Sequence, residues 1–164
     1  MGDSALSDLG WLNAPSPEEA AGVIAHEVAH AELRHGLQGM FKSMGIRAVA
    51  SMVLGDWSGA LLQEGFTGLL EMKFSREAEL KANSEGLRLL VAAQVDPSGM
   101  SSFMDKLNGK DQSAVPPEFL STHPASKDLA DRLKAASAAA YSPWTALPFD
   151  WKVVSESLPM RSPK

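Results

Sequence analysis

The chain has 164 residues and no cysteine, and its fifteen Lys and Arg against twenty Asp and Glu give a net charge of −5. That length suits one domain burying roughly two-thirds of its unfolded surface, and the missing thiols exclude disulfides, cysteine metal sites and thiol nucleophiles, so any metal falls to His, Asp or Glu. The acidic balance and scattered basic residues argue against nucleic acid as a partner.

Residues 1–15 read as a loose lead-in with neither an export nor a lipidation signal. Ser16-Pro17-Glu18-Glu19 then supplies an N-cap, a Pro at the first helical position and a Glu three residues after the cap, a capping box that opens a helix. The helix is expected to run to about Arg34, with Gly36 taking the left-handed conformation that ends it. From Leu37 to Leu70 the pattern is helical but broken at Gly45, Gly55 and Gly59, which gives one or two helices with a bend near Gly55-Asp56. Within it, residues 48–70 are interrupted by Asp56, Gln63 and Glu64 and lack the ~18 apolar residues a bilayer span requires. The apolar side chains there serve either as core or as a contact with a membrane or partner surface.

Phe74 to Ala93 is a helix, with Ala78, Ala82, Leu87, Leu90 and Val91 on one side. Asp96-Pro97 stops it and launches a short helix toward Leu107 and Gly109. Gly109 to Pro117 is a loop, and a last helix runs from about Pro124 to Ala140. The tail from Tyr141 is expected to be extended, with Trp144, Phe149 and Trp151 tacking it onto the body. No five-residue stretch alternates as a strand does. The expectation is a single, mainly α domain with little or no sheet: lead-in 1–15, helical core 16–140 and tail 141–164.

Chemistry concentrates in His26-Glu27-Val28-Ala29-His30. Residues four apart on a helix lie one turn above each other, so both imidazoles can face one ion, and zinc accepts such nitrogens at ~2.0–2.1 Å. Glu27 leans to the side of that face, in the position of a general base. Two exposed histidines on an ordinary helix would produce the same pattern, but Val23, Ile24, Ala25, Val28 and Ala29 make the segment fit for burial, where unpaired imidazoles are costly. Ser75-Arg76-Glu77-Ala78-Glu79-Leu80-Lys81-Ala82-Asn83 offers a third ligand candidate, Glu79.

Taken together, HEVAH, SREAELKAN and the later Ser121-Thr122-His123-Pro124 resemble the M48 family of gluzincin metallopeptidases, and residues 35–59 resemble its proteobacterial, often membrane-associated, branch. The resemblance implies a helical zincin-like domain with one zinc per chain held by His26, His30 and Glu79. It implies Glu27 as the base that activates water, protein or peptide substrates, and a place at the cell envelope. It brings His123 toward the metal, as a reversible fourth ligand or as a donor to the oxyanion, while its place before Pro124 also suits a plain N-cap. Asn83 and Arg76 fall beside the ligands, Asn83 accepting a hydrogen bond from a ligand imidazole and Arg76 pairing with an acid or a substrate carbonyl. His35 points ~140° away from His30 on an ideal helix and reads as structural.

Three positions depart from the family pattern. Asn83 stands where Asp is usual, Leu129 replaces an Arg, and residues 1–15 do not read as the edge strand that normally receives substrate. The alternative to an active endopeptidase is therefore a domain shortened at its N-terminus or a divergent one, binding zinc as an interaction module with little or no cleavage.

Overall fold

A computed structural model describes residues 14–39, 41–42, 73–109, 115, 117–124, 126–140, 143–148 and 150–157. It is mainly helical, and no strand occurs among the described residues. The helices are α1 (Pro17–Glu32), α2 (Arg76–Ala92), α3 (Ser98–Asn108), α4 (Pro117–Thr122), α5 (Lys127–Ala139) and α6 (Trp151–Ser157). Most of the expected 37–70 helical stretch, including residues 48–70 and the bend near Gly55-Asp56, lies outside the described residues.

Helix α1 begins where the capping residues place it. Ser16 is extended, and its Oγ accepts from the Glu19 N–H at 3.2 Å. The Glu19 carboxylate is used elsewhere: it is buried and accepts from Lys106 Nζ at 2.5 Å and Ser102 Oγ at 3.3 Å, joining α1 to α3. The C-terminal end differs from expectation. Leu33 caps the helix and the left-handed residue is Arg34, with φ 53°, so Gly36 falls within a helical stretch over 35–39. The turn closes at Arg34 because its N–H reaches the Ala31 carbonyl at 3.0 Å.

Helix α2 is capped by Ser75, whose Oγ accepts from the Ala78 N–H at 3.2 Å. Its last turn closes through two bonds to preceding carbonyls, Gln94 N–H to Val91 at 3.1 Å and Val95 N–H to Leu90 at 2.9 Å, with Gln94 at φ 57°. Val95 and Leu90 both enter the core.

The buried stripe of α2 is Glu79, Ala82, Asn83, Gly86 and Leu90, and that of α1 includes Gly22, Val23, Ala25, His26, Ala29 and His30. Both follow the helical period, and both are built from small residues where the helices meet. A Cβ on Gly86 would lie 3.2 Å from the Ala25 carbonyl group, and one on Gly22 would lie 2.5 Å from Met100 Cα. Gly99 answers from α3, where a Cβ would fall 2.3 Å from the Glu18 carbonyl. The backbones of α1, α2 and α3 thus approach without side chains between them. Below the crossing, Val23, Leu90, Met100, Phe103, Leu107, Phe119 and Leu133 form one apolar core.

The chain from 109 to 140 holds two departures. Pro117–Thr122 is the helix α4, where the sequence reading assigns no element, and α5 starts at Lys127 rather than near Pro124, with Ser126 as its N-cap. In the tail, Trp151–Ser157 is helical where an extended chain was expected. Trp151 does hold it to the body, donating from Nε1 to the Ala14 carbonyl at 2.7 Å.

Gly22→Ala is expected to lower stability by roughly 1–3 kcal/mol, because the added methyl group meets backbone that cannot turn aside. This outweighs the gain of up to ~1 kcal/mol in helix propensity. Denaturant unfolding checks it, and a variant as stable as the parent chain would show that α1 and α3 do not cross at this point.

Candidate metal centre

Four buried side chains converge at one end of the α1–α2 crossing: His26 and His30 from α1, Glu79 from α2, and His123 from the turn after α4. One ligand atom from each lies within 4.8 Å of all the others. His26 Nε2 is 3.1 Å from His30 Nε2, 3.2 Å from His123 Nδ1 and 3.4 Å from Glu79 Oε2. Glu79 Oε1 is 3.3 Å from His30 Nε2 and 3.0 Å from His123 Nδ1.

The helices place these groups for local reasons. His26 and His30 are one turn apart on the buried stripe of α1, and Glu79 begins the buried stripe of α2 two turns before Gly86. His123 is set by the backbone around it. Its N–H donates to the Phe119 carbonyl at 2.9 Å, and the neighbouring Thr122 carbonyl accepts from Phe74 N–H at 2.9 Å. Phe119 stacks on the His123 ring at 4.1 Å and 20°, and Phe74 packs 4.1 Å from the His30 ring. The role of His123 as the cap of the last helix is thereby excluded, since Ser126 occupies that position.

The donor set fits a metal ion. Ligands of a tetrahedral zinc bound at ~2.0–2.1 Å stand about 3.3 Å apart, and the five contacts above, which use both oxygens of Glu79, run from 3.0 to 3.4 Å inside a group whose ligand atoms all lie within 4.8 Å of one another. Imidazole nitrogens and carboxylate oxygens aimed at one buried point repel unless a cation or protons lie between them, and a buried polar group without such a partner is costly.

Glu27 sits beside this cluster, half-buried, with Oε1 3.3 Å from His123 Nε2. The two form an ionic contact, although Oε1 has no hydrogen bond of good geometry. His123 therefore bridges the ligand set, through Nδ1, and Glu27, through Nε2. Burial works to raise the Glu27 carboxyl, but contact with His123 and the nearby His26 and His30 hold it below its usual range. Burial likewise opposes charge on Glu79, yet its bonds to His123, His26 and His30 keep it far below the usual carboxylate range. Burial pushes His123 down, but Glu27 and Glu79 overcome this and raise it to about 9.

The remaining expectations divide. Asn83 is buried one turn beyond Glu79, but the hydrogen bond that its amide oxygen is expected to accept from a ligand imidazole is not made: among the described residues Oδ1 has no partner, and neither has His26 Nδ1. Arg76 is exposed at the start of α2, and no acid pairs with it among the described residues. His35 does not point away. It is buried, with Nδ1 3.1 Å from His30 Nδ1, because the break at Arg34 removes the continuous helix on which the ~140° offset rested. Ile24 and Val28, read as part of a buried segment, are exposed. Sequence reading missed Phe74 and Phe119; the four-residue spacing of Phe119 and His123 was the available signal for the second.

A helix bearing HExxH, crossed by a second helix that delivers a buried Glu to both histidines, defines the class as a gluzincin-type metallopeptidase domain. The chain belongs to Peptidase family M48, whose profile matches residues 9–140. The mitochondrial metalloendopeptidase OMA1 of Arabidopsis thaliana is 36% identical over 123 residues, covering 74% of this chain and 25% of that protein. The beta-barrel assembly-enhancing protease of Escherichia coli is 29% identical over 136 residues, covering 75% of this chain and 28% of that protein. Metalloprotease LoiP of Escherichia coli is 27% identical over 131 residues, covering 76% of this chain and 52% of that protein. The chain thus spans about a quarter to a half of the length of these curated relatives. No solved structure matches.

Chelator-treated protein should be most stable near pH 6.5. His123 is raised when folded, so its contribution is complete below its ordinary value of 6.5 and lost as pH climbs toward 9. His30 and His35 are pushed down by burial, and their contribution is present above 6.5 and lost as pH falls. Thermal unfolding across pH 5 to 9 in chelator tests this, and a flat profile between 6.5 and 9 would remove His123 from the buried pair of carboxylates.

Proposed function

We propose that the chain is a zinc-dependent metalloendopeptidase domain, with one zinc held by His26 Nε2, His30 Nε2 and Glu79 and with Glu27 as general base. The single observation that carries this reading is the convergence of four buried ligand atoms within 4.8 Å of one another, with His26, His30 and Glu79 in mutual contact at 3.1–3.4 Å. Zinc, when bound, supplies a Lewis acid that polarises the scissile carbonyl and acidifies water. Glu27 takes the proton of the attacking water and returns it to the leaving amine. Its carboxylate suits the first task because it is held ionised while half-buried beside the ligands. Glu79 contributes a negative charge that His26 and His30 do not have, which favours a divalent cation over protons at the same point.

His123 is the residue that decides whether the site is open. With Nδ1 on the ligand set and Nε2 on Glu27, it fills the fourth ligand position and engages the base, so substrate and water need it to withdraw. We therefore read it as a reversible fourth ligand that shuts the site, in preference to an oxyanion donor.

The alternative, a zinc-binding module that cleaves weakly or not at all, is favoured by one feature: among the described residues Asn83 Oδ1 and His26 Nδ1 both lack partners, so none of them orients His26 from behind. Protein or peptide substrates follow from the proposed activity, and the net charge of −5 gives nucleic acid no support. A cell-envelope location and contact of residues 48–70 with a membrane surface rest on family resemblance. Among the described residues no helix is long and apolar enough to cross a membrane.

Casein cleavage by the purified chain should be abolished by chelator and restored by zinc. Glu27→Gln should retain about one zinc and lose activity by roughly 10²–10⁴-fold, the range for removal of a general base. Zinc-loaded but inactive native chain would support the module reading. Separately, His123→Ala should raise kcat/KM if this residue shuts the site, and a fall would assign it to the oxyanion.

A further inference from the structure

His30 has two ring nitrogens, and Nε2 is committed to the ligand set, 3.1 Å from His26 Nε2 and 3.3 Å from Glu79 Oε1. When Nε2 gives its lone pair to a cation, the ring proton must sit on Nδ1, which then needs an acceptor in a buried setting. His35 Nδ1 stands 3.1 Å from that atom. The two rings meet edge-on, 4.9 Å apart at 74°, and His35 is only 6% exposed.

This contact is not available to a continuous helix. Residues five apart point ~140° from each other along regular α-helix, so a side chain at 35 reaches position 30 only if the backbone turns between them. Arg34, at φ 53°, makes that turn in a conformation that L-residues adopt at a cost of roughly 1–2 kcal/mol. The Phe74 ring then closes over the pair, 4.1 Å from His30 and 6.4 Å from His35. His26 has no equivalent support among the described residues, where its Nδ1 is without a partner. Of the two histidines in the motif, His30 is the one that the described residues hold from behind.

We propose that His35 is a positioning residue for metal binding: its Nδ1 accepts a hydrogen bond from His30 Nδ1–H and so fixes the tautomer and ring orientation that aim His30 Nε2 at the ion. The inference rests on the zinc site proposed above and adds to it a residue outside the ligand set and outside the HExxH motif. A neutral imidazole does here what a carboxylate or backbone carbonyl usually does for a ligand histidine. It supplies the lone pair without adding charge to a site where Glu79 and Glu27 already supply two negative groups.

The test uses the full chain and zinc competition against a chromophoric chelator, with far-UV circular dichroism and the unfolding midpoint in chelator as controls on folding. His35→Leu keeps bulk and removes the acceptor; it should weaken zinc by about 10–100-fold, the usual effect of losing such a partner. His35→Asn carries an oxygen near the place of Nδ1 and should restore affinity to within a few fold of the native chain. His35→Gln, whose amide reaches to the place of Nε2 instead, should stay weak. The cobalt-substituted protein gives a second readout, a ligand-field spectrum altered in His35→Leu and native in His35→Asn. Native affinity in His35→Leu, or equal weakness in the Asn and Gln variants, overturns the proposal. The Asn and Gln pair decides the matter if the Leu variant does not fold. A native chain that takes up no zinc overturns the zinc site and this inference together, whereas a native chain with one tight zinc and no effect at His35 overturns the inference alone.

Discussion

Helices α1 and α2 pack backbone to backbone at Gly86 and Ala25, and the approach of Glu79 to His26 and His30 follows from how close they come. A Cβ at 86 would stand 3.2 Å from the Ala25 carbonyl group, close enough to ask a few tenths of an ångström of its neighbours, and Glu79 lies two turns nearer the start of the same stripe. The separations of 3.3 and 3.4 Å between Glu79 and the two histidines are of the order of a single atomic contact. A shift of about 1 Å in a helix axis is enough to take a carboxylate out of such a site. Gly22 and Gly99 fix α1 against α3 in the same way, so the helix that carries both histidines is clamped on two sides by glycine contacts.

Charge inside the resulting pocket is arranged so that protons and a cation compete for one point. Glu79 and Glu27 are held ionised despite burial, and His123 lies between them, hydrogen-bonded to Glu79 and in ionic contact with Glu27. The same side chain therefore stabilises both carboxylates. Aromatic rings from Phe74 and Phe119 pack against the imidazoles. They exclude water and lower the local dielectric, which strengthens each electrostatic contact in the cluster.

The outer nitrogens of the two motif histidines are treated unequally. His30 is backed by His35 through a turn made by Arg34, while His26 and Asn83 face the interior with unbonded polar atoms. Buried polar atoms without partners are rare and mark a functional or strained location. Three such atoms lie beside the cluster among the described residues, Glu27 Oε1 being the third.

Sequence alone determined what depends on near neighbours. The Ser16 and Ser75 caps, the α1 and α2 helices, the mainly α class and the pairing of His26 with His30 are all consequences of spacings within about two turns. The motif around Glu79 brought that residue forward as a candidate, which composition could not do among twenty acidic residues. Tertiary structure decided the rest. That His123 joins His26, His30 and Glu79, that α4 exists to carry it, that Gly22, Gly86 and Gly99 serve close approach, and that His35 returns to His30 all depend on contacts across the fold or on one backbone angle. A glycine in a helical pattern reads locally as a weakness; only the neighbouring backbone shows why no side chain fits there.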